Sequence, residues 1–123
     1  MTEGGIEEAM VVQVAAGDAH SMALTTSGEL YAWGDGDGGQ LGHGGKEDVA
    51  VPRVVGGIGG TVVGMAGGLR HSLVTTAEGR VLAFGNGGSG RLGLGVGVRE
   101  RLTPTAIDGI TVGEEEEGKE GKE

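Results

Sequence analysis

The chain repeats itself at an offset of 51 residues, and this repeat restricts its possible folds more than any other feature. Residues His20–Gly34 align with His71–Gly85 without a gap, and the match extends upstream, where Val11–Gly17 meets Val62–Gly68. An internal period of this size is typical of arrays of small units that bury their faces against one another. The sequence therefore predicts two copies of one structural unit.

Glycine accounts for 30 of the 123 residues, and its spacing excludes long helices. The longest glycine-free runs, Ile6–Ala16 and Val98–Asp108, have 11 residues each. Each Gly inside a helix costs about 1 kcal/mol relative to Ala. The runs between glycines are rich in Val, Leu and Thr, which is typical of strands of about five or six residues. Such a glycine content can also indicate disorder, but most glycines within residues 11–110 recur at the repeat offset.

Each unit has the pattern of four short strands. In the second strand, Met22 and Leu24 fall on one face, and Ser21 and Ala23 fall on the other. Pro52 precedes the fourth strand and predicts that this strand lies at a sheet edge, where a missing N–H is tolerated. The strands predicted in the first unit are Val11–Ala16, Ser21–Thr26, Glu29–Trp33 and a short one at Arg53–Val55. Four antiparallel strands repeated at about 50 residues are typical of the blades of a β-propeller.

The net charge of −9 is concentrated at the two ends of the chain. Residues 1–10 have a net charge of −3 and residues 111–123 one of −4. We therefore predict an acidic N-terminal segment (1–10), a first repeat (11–58), a second repeat (59–110) and an acidic disordered tail (111–123). No basic run could bind phosphates, so direct nucleic-acid binding is not expected. No apolar stretch approaches a membrane span, and the lack of Cys fits an intracellular location, cytoplasmic or nuclear.

Two glycine-rich loops match the spacing of dinucleotide-binding motifs. Such a site needs a helix after the loop to meet the pyrophosphate, and neither Gly34–Gly39 nor Gly85–Gly90 is followed by a helical pattern. Asp35 and Asp37 suggest a calcium loop, but its twelfth position is Lys46 instead of a bidentate Glu. We predict that these loops form positive-φ turns and bind no cofactor or metal.

The histidines and serines do not form a catalytic pattern. His20 and His71 occupy the same repeat position, which predicts a structural hydrogen bond that recurs in each unit. Ser21 and Ser72 follow them directly, and neighbouring strand residues point to opposite faces, so a Ser–His nucleophile pair is not expected. His43 lies in the loop and has no matching His in the second unit. We predict no catalytic residue and no metal ligand, and hence a protein that is not an enzyme.

The run from Val11 to Gly44 resembles the repeat of the regulator of chromosome condensation (RCC1) family. The residues that carry the resemblance include Ala15-Ala16-Gly17-Asp18, His20-Ser21, Leu30-Tyr31-Ala32-Trp33-Gly34 and Gly39-Gln40-Leu41-Gly42. The resemblance implies a seven-bladed all-β propeller, of which this chain supplies about two four-stranded blades, an incomplete ring. Blades need neighbours, since about three or more repeats are required for stability alone. The chain is then a piece of a longer product, or associates with other copies into six or eight blades, or is poorly folded.

The resemblance also implies a function in protein binding. The turn before the His-containing strand lies on a propeller face used for contacts, which makes Asp18, His20, Arg70 and His71 candidate partner-binding residues. A Ran-type small GTPase is a possible partner, and guanine nucleotide exchange on it is the alternative function. The short connection from Gly44 to Pro52 has no room for the wedge that the exchange factor uses. A role like that of the ultraviolet-B receptor is less expected, because the sensing tryptophans are absent.

Overall fold

The structure is a computed structural model that describes residues 10–87, 92–95 and 98–110. The predicted acidic tail and all but the last residue of the predicted N-terminal segment lie outside these ranges. Among the described residues, no helix is long and apolar enough to cross a membrane.

The described chain is all-β and forms two separate four-stranded sheets, each an antiparallel meander. The first sheet has the order β1-β2-β3-β4 and the second the order β5-β6-β7-β8. The strands are β1 (Val11–Ala16), β2 (His20–Thr25), β3 (Leu30–Gly34), β4 (Val49–Val54), β5 (Val62–Gly67), β6 (His71–Thr76), β7 (Val81–Asn86) and β8 (Glu100–Ala106). The two predicted four-stranded units are therefore present, and the two sheets do not form a closed ring.

The two sheets have the same strand register. His20 pairs with Gly34 in the first sheet, and His71 pairs with Gly85 in the second, so the pairing repeats at the sequence offset. Both sheets also have an irregularity in the first strand pair, between Val11 and Gln13 and at the matching positions of β5. An extra residue at such a site bends the strand and increases its twist. The two sheets therefore share this irregularity as well as the strand order.

The fourth strand differs from its predicted form. It begins at Val49, four residues before the predicted start, and Pro52 lies within it instead of before it. The predicted edge position is confirmed, since among the described strands β4 pairs only with β3. An edge strand tolerates an internal Pro because the missing N–H leaves no neighbouring strand without a donor.

The main hydrophobic core lies between the two sheets, where unlike faces meet. From the first sheet it takes Met22, Leu24, Leu30 and Ala32, which we call the Met22 face; from the second it takes Val74, Leu82 and Phe84, which with Ser72 we call the Phe84 face. Met22 and Phe84 are both completely buried. Strand alternation places the other side chains on two outer faces. These are the Trp33 face of the first sheet (Ser21, Ala23, Tyr31, Trp33) and the Leu73 face of the second (Leu73, Thr75, Val81, Ala83).

Candidate partner-binding end of the sheets

The turns that enter β2 and β6 lie at one end of the sheets and are built alike. The N–H of Gly17 donates to the carbonyl of His20 over 2.8 Å, and the N–H of Gly68 donates to the carbonyl of His71 over the same distance. Each histidine ring lies against its glycine, so that a Cβ added at Gly17 or Gly68 would collide with the ring. The Gly-x-x-His spacing therefore lets the chain turn closely around the imidazole.

A backbone hydrogen bond from the end of β3 or β7 also stabilises each turn. The N–H of Asp35 donates to the carbonyl of Ala19 over 3.0 Å, and the N–H of Asn86 donates to that of Arg70 over 2.8 Å. The glycine before each donor, Gly34 or Gly85, has a φ of 113° or 110°, where L side chains are strained. The predicted positive-φ role of the loop glycines is confirmed at these positions. The backbone of both turns is thus held at two points.

The turns of the two repeats are joined to each other. The N–H of Asp18 donates to the carbonyl of Gly68 over 3.2 Å. The Arg70 guanidinium lies 3.5 Å from the Asp37 carboxylate, which belongs to the loop after β3. The Asp35 carboxylate accepts the N–H of Asp37 over 2.8 Å, which orients that loop. These contacts place Asp18, Asp37 and Arg70 on one connected surface, which we call the turn end.

The four predicted partner-binding residues differ in accessibility. Asp18 and Arg70 are exposed, and the Arg70 side chain keeps 46% of its surface accessible. His71 is partly exposed. His20 has only 3% of its surface exposed, so its side chain is closed to a partner. Asp18 and Arg70 are therefore accessible at the surface, whereas the His20 side chain is not.

His20 takes part in a hydrogen-bond chain that crosses from one repeat to the other. Its Nε2 lies 2.8 Å from the Ser72 hydroxyl, which donates to the carbonyl of Gln40 over 2.9 Å. Because the Ser72 hydroxyl donates its hydrogen to the Gln40 carbonyl, its oxygen accepts the hydrogen bond from His20 Nε2–H. Ser72 is completely buried, so this Ser–His pair is inaccessible to a substrate and its role is structural.

Sequence reasoning missed this Ser–His contact because it compared each histidine only with the serine that follows it. Ser21, the neighbour of His20, does lie on the opposite face. The partner is instead Ser72, 52 positions along the chain. The repeat offset makes Ser72 the equivalent of Ser21, but no sequence signal shows that the two sheets pack so that His20 meets Ser72.

The environment of His20 favours its neutral form. Burial lowers the pKa of His20, the nearby His71 lowers it further, and Asp35 partly offsets both effects. In the described part of the chain, Nδ1 of His20 is buried without a hydrogen-bond partner, which suits an unprotonated nitrogen. The pKa of His43 is also lowered, chiefly by burial, although its bond to the Ala32 carbonyl raises it. His43 lies in the loop after β3, apart from the turn end.

The turn end has no arrangement suited to metal binding among the described residues, where no three His, Cys, Asp or Glu side chains converge. Asp35 and Asp37 have the spacing of calcium ligands. The Asp35 carboxylate instead accepts the backbone N–H of Asp37, and the Asp37 carboxylate pairs with Arg70. The exposed groups are carboxylates from the first repeat and a guanidinium from the second. Such an arrangement suits recognition of a charged protein surface.

Two observations show the family of the chain: its sequence matches models of one repeat, and its fold matches solved structures. Two models described as the regulator of chromosome condensation (RCC1) repeat match the chain, one over residues 27–75 and the other over residues 11–40. The chain belongs to the RCC1 repeat family. The longer match starts in the β2–β3 turn and ends in β6, so the sequence unit of the family spans the junction between two sheets.

Curated relatives are much longer than this chain. The human E3 ubiquitin-protein ligase HERC2 is 43% identical over 88 residues, which cover 69% of this chain and 2% of that protein. Human protein RCC2 is 46% identical over 78 residues, or 63% of this chain and 15% of that protein. The chain thus spans a small part of each relative.

Solved structures have the same fold. Human WBSCR16 superposes with a TM-score of 0.76 at 30% identity, over 87% of this chain and 27% of that one. Prp20p from Saccharomyces cerevisiae, whose structure was described with its binding to Gsp1p and histones, superposes with a TM-score of 0.75 at 25% identity. That match covers 82% of this chain and 26% of Prp20p. The two sheets of this chain therefore correspond to neighbouring blades of an RCC1-like propeller.

Proposed function

We propose that this RCC1-repeat chain is a protein-binding regulatory module and that its partner contacts the turn end. The observation that carries the proposal is the exposure of Asp18 and Arg70 on turns held by the Asp18–Gly68 backbone bond. Binding loses less conformational entropy when the contact groups are already held in place. In this proposal Asp18 and Arg70 contact the partner, and His20 and His71 position the turns.

The charges at the turn end favour a protein partner with both basic and acidic groups. Asp18 and Asp37 present carboxylates, and Arg70 presents a guanidinium beside them. A Ran-type small GTPase is the partner we propose, because the family resemblance implies it and because Prp20p, a structural relative, binds Gsp1p. The proposed setting is intracellular, in the cytoplasm or the nucleus. Further blades or other copies would occupy the lateral faces of the sheets rather than this end.

The test is binding of the whole chain to an immobilised Ran-type GTPase in its nucleotide-free, GDP and GTP forms. Asp18→Lys should weaken binding at least tenfold, because it reverses a charge at the contact. Glu29→Lys is the matched control, since Glu29 is also exposed but lies at the opposite end of the strands, in the β2–β3 turn. Equal affinities for the two variants would contradict the assigned surface.

A second pair of variants tests the cation. Arg70→Ala should also weaken binding, whereas Arg53→Ala, an exposed arginine on β4, should leave the affinity unchanged. Far-ultraviolet circular dichroism of all variants separates loss of binding from loss of fold. If no form of the GTPase binds the folded chain, the proposed partner is wrong.

The alternative function is nucleotide exchange on the same GTPase, favoured by the similarity to Prp20p. Exchange would need the chain to bind the nucleotide-free form more tightly than the loaded forms. Release of a labelled GDP distinguishes the two functions. Binding without faster release supports the module, and release above the intrinsic rate supports the exchange factor.

A further inference from the structure

We propose that Leu69 is the apolar anchor of the turn end, and that the partner receives its side chain in an apolar recess bordered by a basic and an acidic group. This assignment rests on the proposed function, because it specifies how a protein partner engages that end. Leu69 lies in the turn between β5 and β6, directly before Arg70. It is a third contact residue beside Asp18 and Arg70, and it differs from both in carrying no charge.

Leu69 is exposed where an apolar residue of its size is usually buried. It keeps 55% of its surface accessible. Among the described residues, the other exposed large apolar side chains lie on β1, β4 and β5 or at the two ends of the range, Met10 and Ile110. Strand alternation turns some apolar side chains outward, and Val favours strands whether or not it is buried. Neither reason applies to a Leu in a turn.

The first repeat shows that this turn does not need an apolar residue. At the 51-residue offset, Leu69 corresponds to Asp18. Both turns are closed by the same hydrogen bond from a glycine N–H to a histidine carbonyl. Asp is a common turn residue, whereas Leu is not among the residues that favour turns. The local fold therefore gives no reason for the apolar side chain, and a function in binding does.

The exposure of Leu69 does not depend on whether another sheet follows the second repeat. Asp18 has the second repeat beside it, since its N–H donates to the Gly68 carbonyl over 3.2 Å. Asp18 is nevertheless exposed. A unit packed in the same way against the second repeat would leave Leu69 exposed as well. The position therefore lies outside the contact between sheets.

The backbone on both sides of Leu69 is held in place. The carbonyl of Gly68, the residue before it, accepts the N–H of Asp18 from the other repeat. The carbonyl of Arg70, the residue after it, accepts the N–H of Asn86 over 2.8 Å. A partner that covers a side chain on such a turn pays little backbone entropy. The turn thus presents Leu69 in one position before the partner arrives.

Charged groups on both sides of Leu69 define the chemistry of the partner. Asp18 is joined to the residue before it, and the Arg70 guanidinium follows it with 46% of that side chain exposed. An apolar centre with a polar rim is the usual anatomy of a protein-binding surface. By charge complementarity, the partner should carry a basic group opposite Asp18 and an acidic group opposite Arg70, with the apolar recess between them.

The anchor and its charged neighbours should respond differently to salt. Exposed charges act mainly on the association rate, and salt screens them. Burial of an apolar side chain does not depend on this screening, and it makes the heat-capacity change of binding more negative. Salt dependence and heat capacity therefore distinguish an apolar anchor from a residue that acts through the charges around it.

Binding of the whole chain to the immobilised GTPase, in the nucleotide form that it binds most tightly, tests the anchor. Leu69→Ala should weaken binding roughly tenfold, because it removes most of the apolar surface that the recess covers. The loss should be the same at about 0.15 M and about 0.5 M salt. Leu69→Met, which keeps the apolar volume, should bind within roughly twofold of the original chain. Calorimetry should give a less negative heat-capacity change for Leu69→Ala.

Two further variants control for the fold and for general loss of apolar surface. Leu69→Asp gives the second turn the residue that the first turn has, so it should fold, and it should weaken binding at least as much as Leu69→Ala. Val54→Ala changes an exposed apolar residue of β4 that pairs with Tyr31, away from the turn end, and should leave the affinity unchanged. Urea midpoints of all variants should equal that of the original chain.

The outcomes separate a wrong anchor from a wrong function. If Asp18→Lys weakens binding and neither Leu69→Ala nor Leu69→Asp does, the turn end is the contact surface and the anchor is wrong. The anchor is also wrong if Leu69→Met loses as much affinity as Leu69→Ala, if the loss disappears in high salt, or if Leu69→Ala lowers the urea midpoint. If the original chain binds no form of the GTPase, the proposed function fails and the anchor fails with it.

Discussion

The two repeats share a strand order, a register and matching turns, yet they differ in which residues are buried. Met22 is completely buried in the first repeat, whereas its counterpart Leu73 is partly exposed in the second. Ser72 is completely buried, whereas its counterpart Ser21 is not. The local sequence therefore defines each sheet, and the neighbouring sheet defines which of its faces becomes core. Substitutions at matched positions of the two repeats test this difference.

The largest difference is expected at Met22 and Leu73. Met22→Ala should lower the free energy of unfolding by about 2–5 kcal/mol, because it removes a fully buried side chain from the core between the sheets. Leu73→Ala should cost about 1 kcal/mol, since that side chain already has contact with water. Urea unfolding followed by circular dichroism, at a concentration where the chain is monomeric, measures both. Equal losses would show that the two faces are equally covered.

The two serines should differ next. Ser72→Ala removes the link between His20 and the Gln40 carbonyl and leaves buried polar atoms unpaired, which should cost about 1–3 kcal/mol. Ser21→Ala on the partly exposed outer face should cost less than about 0.5 kcal/mol in the monomer. Urea midpoints of the two variants give the comparison. A neutral Ser72→Ala would contradict a stabilising role for the hydrogen-bond chain.

The pH dependence should reflect the burial of His20. Its pKa is lowered in the folded chain, so between that value and the unfolded pKa of about 6.5 the unfolded state binds more protons. The stabilisation is therefore complete above pH of about 6.5 and is lost as the pH falls toward the folded pKa. His20→Gln should reduce this slope, as measured by urea midpoints from pH 7.5 to about 5. His43→Gln should remove a separate part of the slope, since the pKa of His43 is also lowered. A slope that His20→Gln leaves unchanged would assign the whole effect to other groups.

The smallest effect is expected at the ion pairs between the repeats. Both side chains of the Arg70–Asp37 pair are largely exposed, and such pairs contribute about 0–1 kcal/mol. Asp37→Asn should therefore change the urea midpoint only slightly, and 0.5 M salt should remove the difference. A large loss would show that the loop after β3 depends on this pair to keep its position on the second sheet.

The strands and turns were largely predictable, whereas the fourth strand was not. Alternation and glycine spacing predicted β1 with its observed bounds, and β2 and β3 to within about one residue at each end. The fourth strand was predicted to start four residues too late because its early part, Val49–Pro52, follows a loop and contains a Pro. In this case the pairing with β3 outweighs the local preference.

The candidate site was predictable in position but not in accessibility. The repeat offset placed Asp18, His20, Arg70 and His71 in equivalent turns, and the structure has them there. The repeat offset could not distinguish the exposed Arg70 from the buried His20, since the burial of His20 depends on the second sheet. Their role in partner binding remains a prediction.

The sequence alone determined that this chain forms two equal, short-stranded, glycine-punctuated units, because the 51-residue repeat and strand alternation are local and need no knowledge of distant contacts. The tertiary structure alone decided which faces meet. Both faces of each sheet carry apolar residues, so the pattern cannot select between them. That selection depends on contacts such as His20 with Ser72, which join residues 52 positions apart and form only when the sheets pack.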